Sequence, residues 1–548
     1  MRRFIYKCFR YWHTIRHLKL IQIFARAKFY LPNFKVHQVR KNELRILAGL
    51  WTKPAVRSPR MVDQNTFNFL NETHEINRND WNSSSISKLW LYNLHYFDDL
   101  NAYDSSSRSD WHYLLINRWI EENLPFKGNG WESYPSSLRI VNWIKWSLNG
   151  NLLKEDWVNS LEIQVRMLSV NMEKHLLGNH LFANAKALIF AGLFFKGKEA
   201  DQWYQKGKKI LEKELEEQVL SDGGNFELST MYHSIFLEDL LDLVNLHQTY
   251  NHELLNGLEQ KIPMMFNWLK TMCHPDGEIS FFNDSAFGVA PSVKEIENYG
   301  VKLKLLELSS FDNKRYLINL SESGFSRVAF KDVVALIDRS SVEPDYLPAH
   351  AHADTLSFEL SLFGRRVIVN SGTSVYGNSE ERQRQRGTIS HSTVVVDREN
   401  SSEVWGAFRV ARRAKVFNCK DTDNGDIITL SASHNGYHRL NGKPTHSRKW
   451  EFSNNFLVVY DLISGKGSHE VDVVFPLHPE VKVFDINEDM VVLDIFGKNI
   501  NVNFDGNGLL ELEKSSYHPE FGASIQNYQL HYRLTENLPI SVNTRISW

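Results

Sequence analysis

Residues 324–340 read GFSRVAFKDVVALIDRS, and this stretch decides the fold. β-Branched and aromatic residues fill it, Gly and charged pairs punctuate it, and no three- or four-residue apolar spacing survives. The same texture recurs downstream in DTLSFELSLFGRRVIVNSG (354–372), HSTVVVD (391–397), DIITLSASH (426–434), NNFLVVYDLIS (454–464), HEVDVVFPLH (469–478) and DMVVLDIFG (489–497). Upstream the period is helical. VNWIKWSLNG (141–150), NSLEIQVRMLSVNMEKHLL (159–177), FANAKALIFAGLFF (182–195), KGKKILEKELEEQVL (206–220), HSIFLEDLLDLVNLH (233–247) and EQKIPMMFNWLKTM (259–272) each repeat apolar residues at three and four. Short Gly-, Asn- and Pro-rich breaks separate them, among them GNGWESYP (128–135), SDGGNFELS (221–229) and CHPDGE (273–278).

Helices first and strands second argue for an α+β chain of separate domains rather than an alternating fold. The expectation is an N-terminal segment over 1–85, an α-helical toroid over 86–308, and a large antiparallel β-sandwich over 309–548, the texture changing near Ser309. A chain of 548 residues exceeds what one core organises. Hydrophobic residues at 42% and charged residues at 23% are globular values and exclude a largely disordered chain. Formal net charge is only −2, so nothing in the overall charge marks a nucleic-acid binder.

Three cysteines, Cys8, Cys273 and Cys419, are too few and too far apart for a disulfide framework, which fits a reducing compartment. The first residues, MRRFIYKCFRYWHTIRHLKLIQIFARAKFYL, interleave basic and apolar side chains. Basic residues interrupt every apolar run, unlike a secretory leader, and nothing later reaches the ~20 apolar residues of a span. A cytoplasmic location is expected. The segment reads either as a helix packed on the body or as an amphipathic helix in peripheral contact with a membrane.

Four clusters carry chemistry-bearing side chains. Gly178-Asn179-His180 opens a helix, where Asn also suits an N-cap. Glu227 precedes Tyr232 and His233 at another helix start; a tyrosine serves as acid or base only in a tuned environment. His350-Ala351-His352-Ala353-Asp354 puts two imidazoles on one face if it begins a strand. Arg382, Arg384 and Arg386 alternate ahead of His391, and planar guanidinium forks suit carboxylates and sulfates. Asn, His, Tyr and Arg without an obvious carboxylate pair suit β-elimination from a uronate better than glycoside hydrolysis. A hydrolase using Glu132, Asp222, Glu227 or Asp284, and a non-catalytic polysaccharide-binding protein, are the alternatives.

WLYNLHYFDDL (90–100), GWESYPSSLRIVNW (130–143), the GNH and MYH helix starts, HAHAD (350–354) and RGTISHSTVVVD (386–397) occur in this order. In this set the chain resembles the heparinase II/III family of polysaccharide lyases, along nearly its whole length. The resemblance implies an incomplete α/α toroid followed by an antiparallel β-sandwich, with the active site between them. It implies that Asn179, helped by His180, neutralises the uronate carboxylate, that Tyr232 is the general acid or both acid and base, and that His350 is the second proton-transfer or neutralising residue. It assigns substrate binding to Arg386, Arg384, Tyr134, Glu227 and His233. No cofactor is required for this chemistry. Some relatives hold a structural zinc ion, and the matching positions are His352, Asn370 and His391, with Asn370 standing where Asp is expected. The partner implied is an anionic polysaccharide, and the N-terminal texture resembles members that help make bacterial surface polysaccharides.

Overall fold

The computed structural model describes residues 2–29, 42–307 and 315–548. Nine helices longer than two turns run from Lys88 to Lys302 among the described residues, and they alternate between two layers. The inner layer is Lys88–Tyr96, Ser133–Leu148, Gly178–Phe194, Thr230–Thr249 and Val293–Lys302, each touching the next. The outer layer is Ser109–Glu122, Glu155–Val170, Lys198–Gln218 and Leu258–Thr271. Sequence sets this division. Gly178–Phe194 (GNHLFANAKALIFAGLF) is apolar on nearly every side and is buried along almost its full length. Lys198–Gln218 carries charge on all but one stripe and buries only that stripe. Because inner and outer helices alternate, the inner helices run the same way and present their N-termini at one rim. This is an incomplete α/α toroid.

Buried ion pairs fix the inner helices to one another. Lys186 Nζ donates to Asp239 at 2.6 Å and to Asp242 at 2.7 Å, and Lys145 Nζ donates to Asp242 at 2.9 Å. The two lysines hold Asp242 at a pKa of about 2 against the upward push of burial. Three helices are thereby keyed to one register, because a buried charge that loses its partner is strongly unfavourable.

The sheet domain is antiparallel throughout its ladders. A five-stranded meander, Tyr316–Leu320, Phe325–Phe330, Val333–Asp338, Phe358–Leu362 and Arg365–Ile368, faces the helical domain. Near Ile368 and Leu477 it meets a four-stranded sheet that runs in the order Val394–Val396, Ser468–Pro476, Ile525–Asn537, Leu509–Tyr517. An eight-stranded sheet covers both, and Phe358, Val394, Val473, Trp450 and Val459 share one core. The expected change of texture at Ser309 falls outside the described residues; the last described helix ends at Lys302 and the first strand of the meander begins at Tyr316.

The N-terminal helices, Arg2–Ile15 and Leu20–Phe29, lie against both domains. Tyr11 meets the Trp405 ring edge-on at 5.0 Å and Thr14 Oγ1 accepts from Trp405 Nε1 at 3.1 Å. Lys19 pairs with Glu217 and sits 3.7 Å over the Tyr346 ring. Among the described residues no helix is long and apolar enough to cross a membrane.

Candidate active site

Tyr134, Asn179 and Tyr232 each lie in the first turn of an inner helix, so the shared rim brings them together. They line one crevice with Phe182, Asn225, Glu227, Phe236 and Asp239. Helix N-termini carry partial positive charge and unpaired N–H groups, so the rim favours an anion. None of the described lining residues is Lys or Arg.

Asn179 does not cap its helix. Leu177 occupies the cap position with φ 64° and makes no side-chain cap bond, which leaves the Asn179 amide directed to the crevice. Gly178 is required here. Its φ is +51°, and an added Cβ would stand 2.3 Å from Leu347 Cδ2 and 2.9 Å from Glu227 Oε1. His180 packs on Tyr134 with ring centres 4.4 Å apart and pairs with Glu173 at 3.3 Å. Burial would lower the His180 pKa, but the Glu173 carboxylate outweighs it and raises it.

Ser229 caps the next inner helix through Tyr232 N. The Tyr232 ring lies against the His350 ring at 3.8 Å and its hydroxyl bonds to Tyr376 Oη at 3.0 Å. Burial drives the Tyr232 phenol well above its ordinary range, with Tyr376 adding to the push. Tyr232 is therefore a protonated acid in this state.

His350 and His352 lie in irregular chain, not on a strand; the strand starts at Phe358. Both nevertheless meet one carboxylate. His350 Nδ1 bonds to Asp284 Oδ2 at 3.0 Å and His352 Nε2 bonds to Asp284 Oδ1 at 2.9 Å. Arg382 grips the same carboxylate with both terminal nitrogens. Burial alone would raise Asp284, but the Arg382 charge and the donated hydrogen bonds hold it well below the usual carboxylate range. With a carboxylate as acceptor, His350 Nδ1 carries the hydrogen and Nε2 is left toward Glu227, 3.5 Å away. Burial raises the Glu227 carboxyl above its ordinary value, which favours its keeping a proton.

Backbone pairing locks the two loops. Asn283 N donates to Asp354 Oδ2 at 3.0 Å, His352 N to Asn283 Oδ1 at 3.0 Å, and Asp284 N to His350 O at 3.0 Å. Leu177, Leu228, Asn283 and Leu356 all hold positive φ beside site residues. Left-handed backbone at a non-glycine residue costs about 1–3 kcal/mol each and is retained where the surroundings enforce it.

Three expected binders sit elsewhere. Arg386 is fully buried in a helix, Glu380–Arg386, and donates to Ala351 O at 2.9 Å and Ala407 O at 3.1 Å. Burial and neighbouring Arg382 lower its pKa to about 9. It braces the loop that carries His350 and offers no fork to a polymer. Arg384 pairs with Glu381 and bonds Ser516 at 2.8 Å. His233 is enclosed against Trp268, donates from Nε2 to Met265 O at 2.9 Å, and is lowered by burial to about 4. The reading of the arginine run as an anion-binding loop therefore gives way to an internal clamp for Arg382 and Arg386. The hydrolase candidates are also engaged: Glu132 by Tyr92 and Lys88, Asp222 by Ser323, Asp284 by Arg382.

Behind the site, His352 Nδ1 faces His391 Nε2 at 3.3 Å. His391 Nδ1 bonds to Asn370 Oδ1 at 3.0 Å, so Asn370 sits behind the ring rather than beside a shared ligand point. His352, Asp354 and His391 each offer one ligand atom within 4.8 Å of one another. Asp354, and not Asn370, is the third side chain of this cluster.

This helical and sheet arrangement matches two family profiles, Heparinase II/III N-terminus over residues 26–303 and Heparinase II/III-like, C-terminal over residues 312–548. The chain belongs to the heparinase II/III family. Among relatives, it is 24% identical over 369 residues to a heparin-sulfate lyase of Bacteroides stercoris, covering 61% of this chain and 52% of that one. A heparin-sulfate lyase of Pedobacter heparinus is 25% identical over 362 residues, covering 61% and 51%. The matched region of this heparinase II/III member spans about half the length of these relatives. The crystal structure of a heparinase III superposes with a TM-score of 0.69 at 19% identity, covering 86% of this chain and 79% of that one, a likeness of fold. Around His350, the Asp284 carboxylate, the Arg382 guanidinium and the Tyr376 hydroxyl come together; sequence reasoning named Asp284 only as a hydrolase candidate and Arg382 only within the arginine run, and did not name Tyr376, while the polar pair Asn283-Asp284 inside SFFNDSAF (280–287) is the signal that points to a buried polar group.

Proposed function

We propose that this chain is a polysaccharide lyase that cleaves a uronate-containing polymer by β-elimination. The observation that carries the proposal is the Tyr232–His350 ring pair at 3.8 Å beside Asn179, on the rim where the inner helices begin. The uronate carboxylate sits against the Asn179 amide and the Glu227 carboxyl, and the Asn179 amide neutralises it as the C5–H bond breaks, with burial favouring a proton on Glu227. His350 Nε2 takes the C5 proton, held in position by Asp284 through Nδ1. Electrons from C5–H form the C4–C5 double bond, the C4–O4 bond breaks, and the Tyr232 hydroxyl protonates the departing oxygen. The relatives named above, heparin-sulfate lyases, support this class of reaction.

The test is ultraviolet absorbance of the C4–C5 unsaturated product over a panel of uronate polymers. Rising absorbance is expected. New reducing ends without it would make the enzyme a hydrolase and overturn the proposal. Because Lys and Arg are missing from the described crevice lining, unsulfated polymers are expected to be cut faster than sulfated ones in the same panel. Glu227→Gln, which keeps a donor, is expected to retain within about tenfold of wild-type turnover, and Glu227→Ala to lose about 10²-fold or more. Equal losses would remove Glu227 from carboxylate neutralisation.

The proposal extends to partners, metal and place. The partners are an anionic polysaccharide and, through the basic N-terminal helices, a membrane surface. The place is the cytoplasm, in bacterial surface-polysaccharide synthesis; the three cysteines, all free, support a reducing compartment. His352, Asp354 and His391 would hold a structural zinc ion. With Asp284 and Asn370 accepting from the far ring nitrogens, two imidazole lone pairs face each other at 3.3 Å, which suits a shared zinc ion. Bound there, the ion would tie the 350–354 segment to His391. Elemental analysis of protein purified with zinc is expected to find about one ion per chain, lost in His391→Ala together with a lower melting temperature. Zinc-free wild type would overturn this part.

A further inference from the structure

Residues 2–29 contain eight Lys or Arg and no Asp or Glu; the first acidic residue of the chain is Glu43, and the remainder is net acidic. Only one side of this segment is used by the body. Thr14, Lys19 and Gln22 bond to Trp405, Glu217 and Tyr346, and His17 pairs with Asp345. The other side carries Phe9 at 57%, Trp12 at 63%, Leu20 at 72% and Phe24 at 71% exposure, joined by Ile15 and Ile23. Lys7 and Arg26 on the two helices, and Arg16 in the turn between them, are exposed as well. The packed reading of the segment is met on one face, and the other face is left apolar and basic.

We infer that this outer face docks on an anionic lipid bilayer, which deepens the membrane contact within the proposed function. Aliphatic side chains among the aromatics fit acyl chains better than sugar rings. The absence of any acid matches a negatively charged headgroup layer. The attachment has a direct bearing on the site. Trp405, which receives the first helix, belongs to the hairpin Val404–Trp405/Arg409–Val410, whose tip residue Phe408 lies 6.3 Å from the His350 ring and 5.1 Å from the Tyr376 ring. Docking therefore holds the mouth of the crevice close to the membrane surface, where a polymer anchored in or leaving the bilayer would meet it.

The full-length protein is sedimented with vesicles of phosphatidylcholine alone and with vesicles in which one third of the lipid is phosphatidylglycerol. Binding to the anionic vesicles is expected to exceed binding to the neutral ones by about tenfold or more and to weaken with added salt. The combined variant Phe9→Ser, Trp12→Ser, Leu20→Ser, Phe24→Ser is expected to lose that binding while melting temperature and cleavage of soluble polymer stay unchanged. No vesicle binding, or equal binding to both vesicle types, overturns the inference. So does a dimer that the same variant dissolves, which would make a second copy the occupant, or retention on immobilised anionic polysaccharide that the variant abolishes. Vesicle binding without elimination on any polymer would leave the docking standing and remove the lyase reading alone.

Discussion

Tyr232→Phe lowers turnover by about 10²–10⁴-fold with the fold intact, the size expected for removing a positioned proton donor. The hydroxyl is the only atom lost. Its structural partner is Tyr376 Oη at 3.0 Å, and a single neutral hydrogen bond contributes about 0.5–1.5 kcal/mol, too little to unfold a chain with two large cores. The ring and its contact with His350 remain, so substrate binding changes less than turnover. Burial holds the phenols of Tyr232 and Tyr376 well above the ordinary value, so neither loses its proton in the working range. The rate should therefore show no alkaline decline from phenol ionisation below about pH 10. Absorbance assays of wild type and variant across pH, with circular dichroism as the control for folding, check both points. A variant within a few-fold of wild type would take the acid role away from Tyr232.

The helical period and the strand texture could be read directly, because each reports a side chain's distance from its own domain core. The division of helices into two layers was written there too. Gly178–Phe194 is apolar all round and Lys198–Gln218 only on a stripe, and that contrast is the inner and outer position. Tyr134, Asn179 and Tyr232 share a rim because alternate helices run the same way, a consequence of topology that no local window contains. Arg386 shows the opposite failure. A run of alternating arginines reads as a set of forks for an anionic polymer, yet Ala351 and Ala407 supply buried carbonyls that take up the fork of Arg386. Those carbonyls come from residues 35 and 21 positions away, and the sequence around Arg386 carries no trace of them. Asn370 was likewise placed by motif, while the ring nitrogen it meets depends on how His391 is turned by the loop before Val394.

Asp284→Asn is expected to damage stability and turnover together, and by separable routes. The native carboxylate takes two bonds from Arg382, one each from His350 and His352, and one from Thr373 at 3.3 Å. An amide replaces one acceptor with a donor and removes the charge, leaving the Arg382 guanidinium, fully buried, without a counter-ion. Breaking such a pair from one side costs about 3–5 kcal/mol, read as a lower denaturation midpoint. Because the folded Asp284 pKa lies well below 3.8, its contribution is present above about pH 4 and fades as pH falls through the folded value; the variant should lack that acid-dependent component. Turnover falls for another reason. An amide donating to His350 Nδ1 moves the ring hydrogen to Nε2, the nitrogen that must take the C5 proton, a change of tautomer worth about 10⁴-fold in a comparable orienting carboxylate. The double variant Asp284→Asn, Arg382→Met separates the two effects. Removing the stranded guanidinium should restore most of the stability, while turnover should stay low because His350 still lacks its carboxylate. Recovery of turnover along with stability would mean that Asp284 only holds the loops together and that His350 needs no orienting anion.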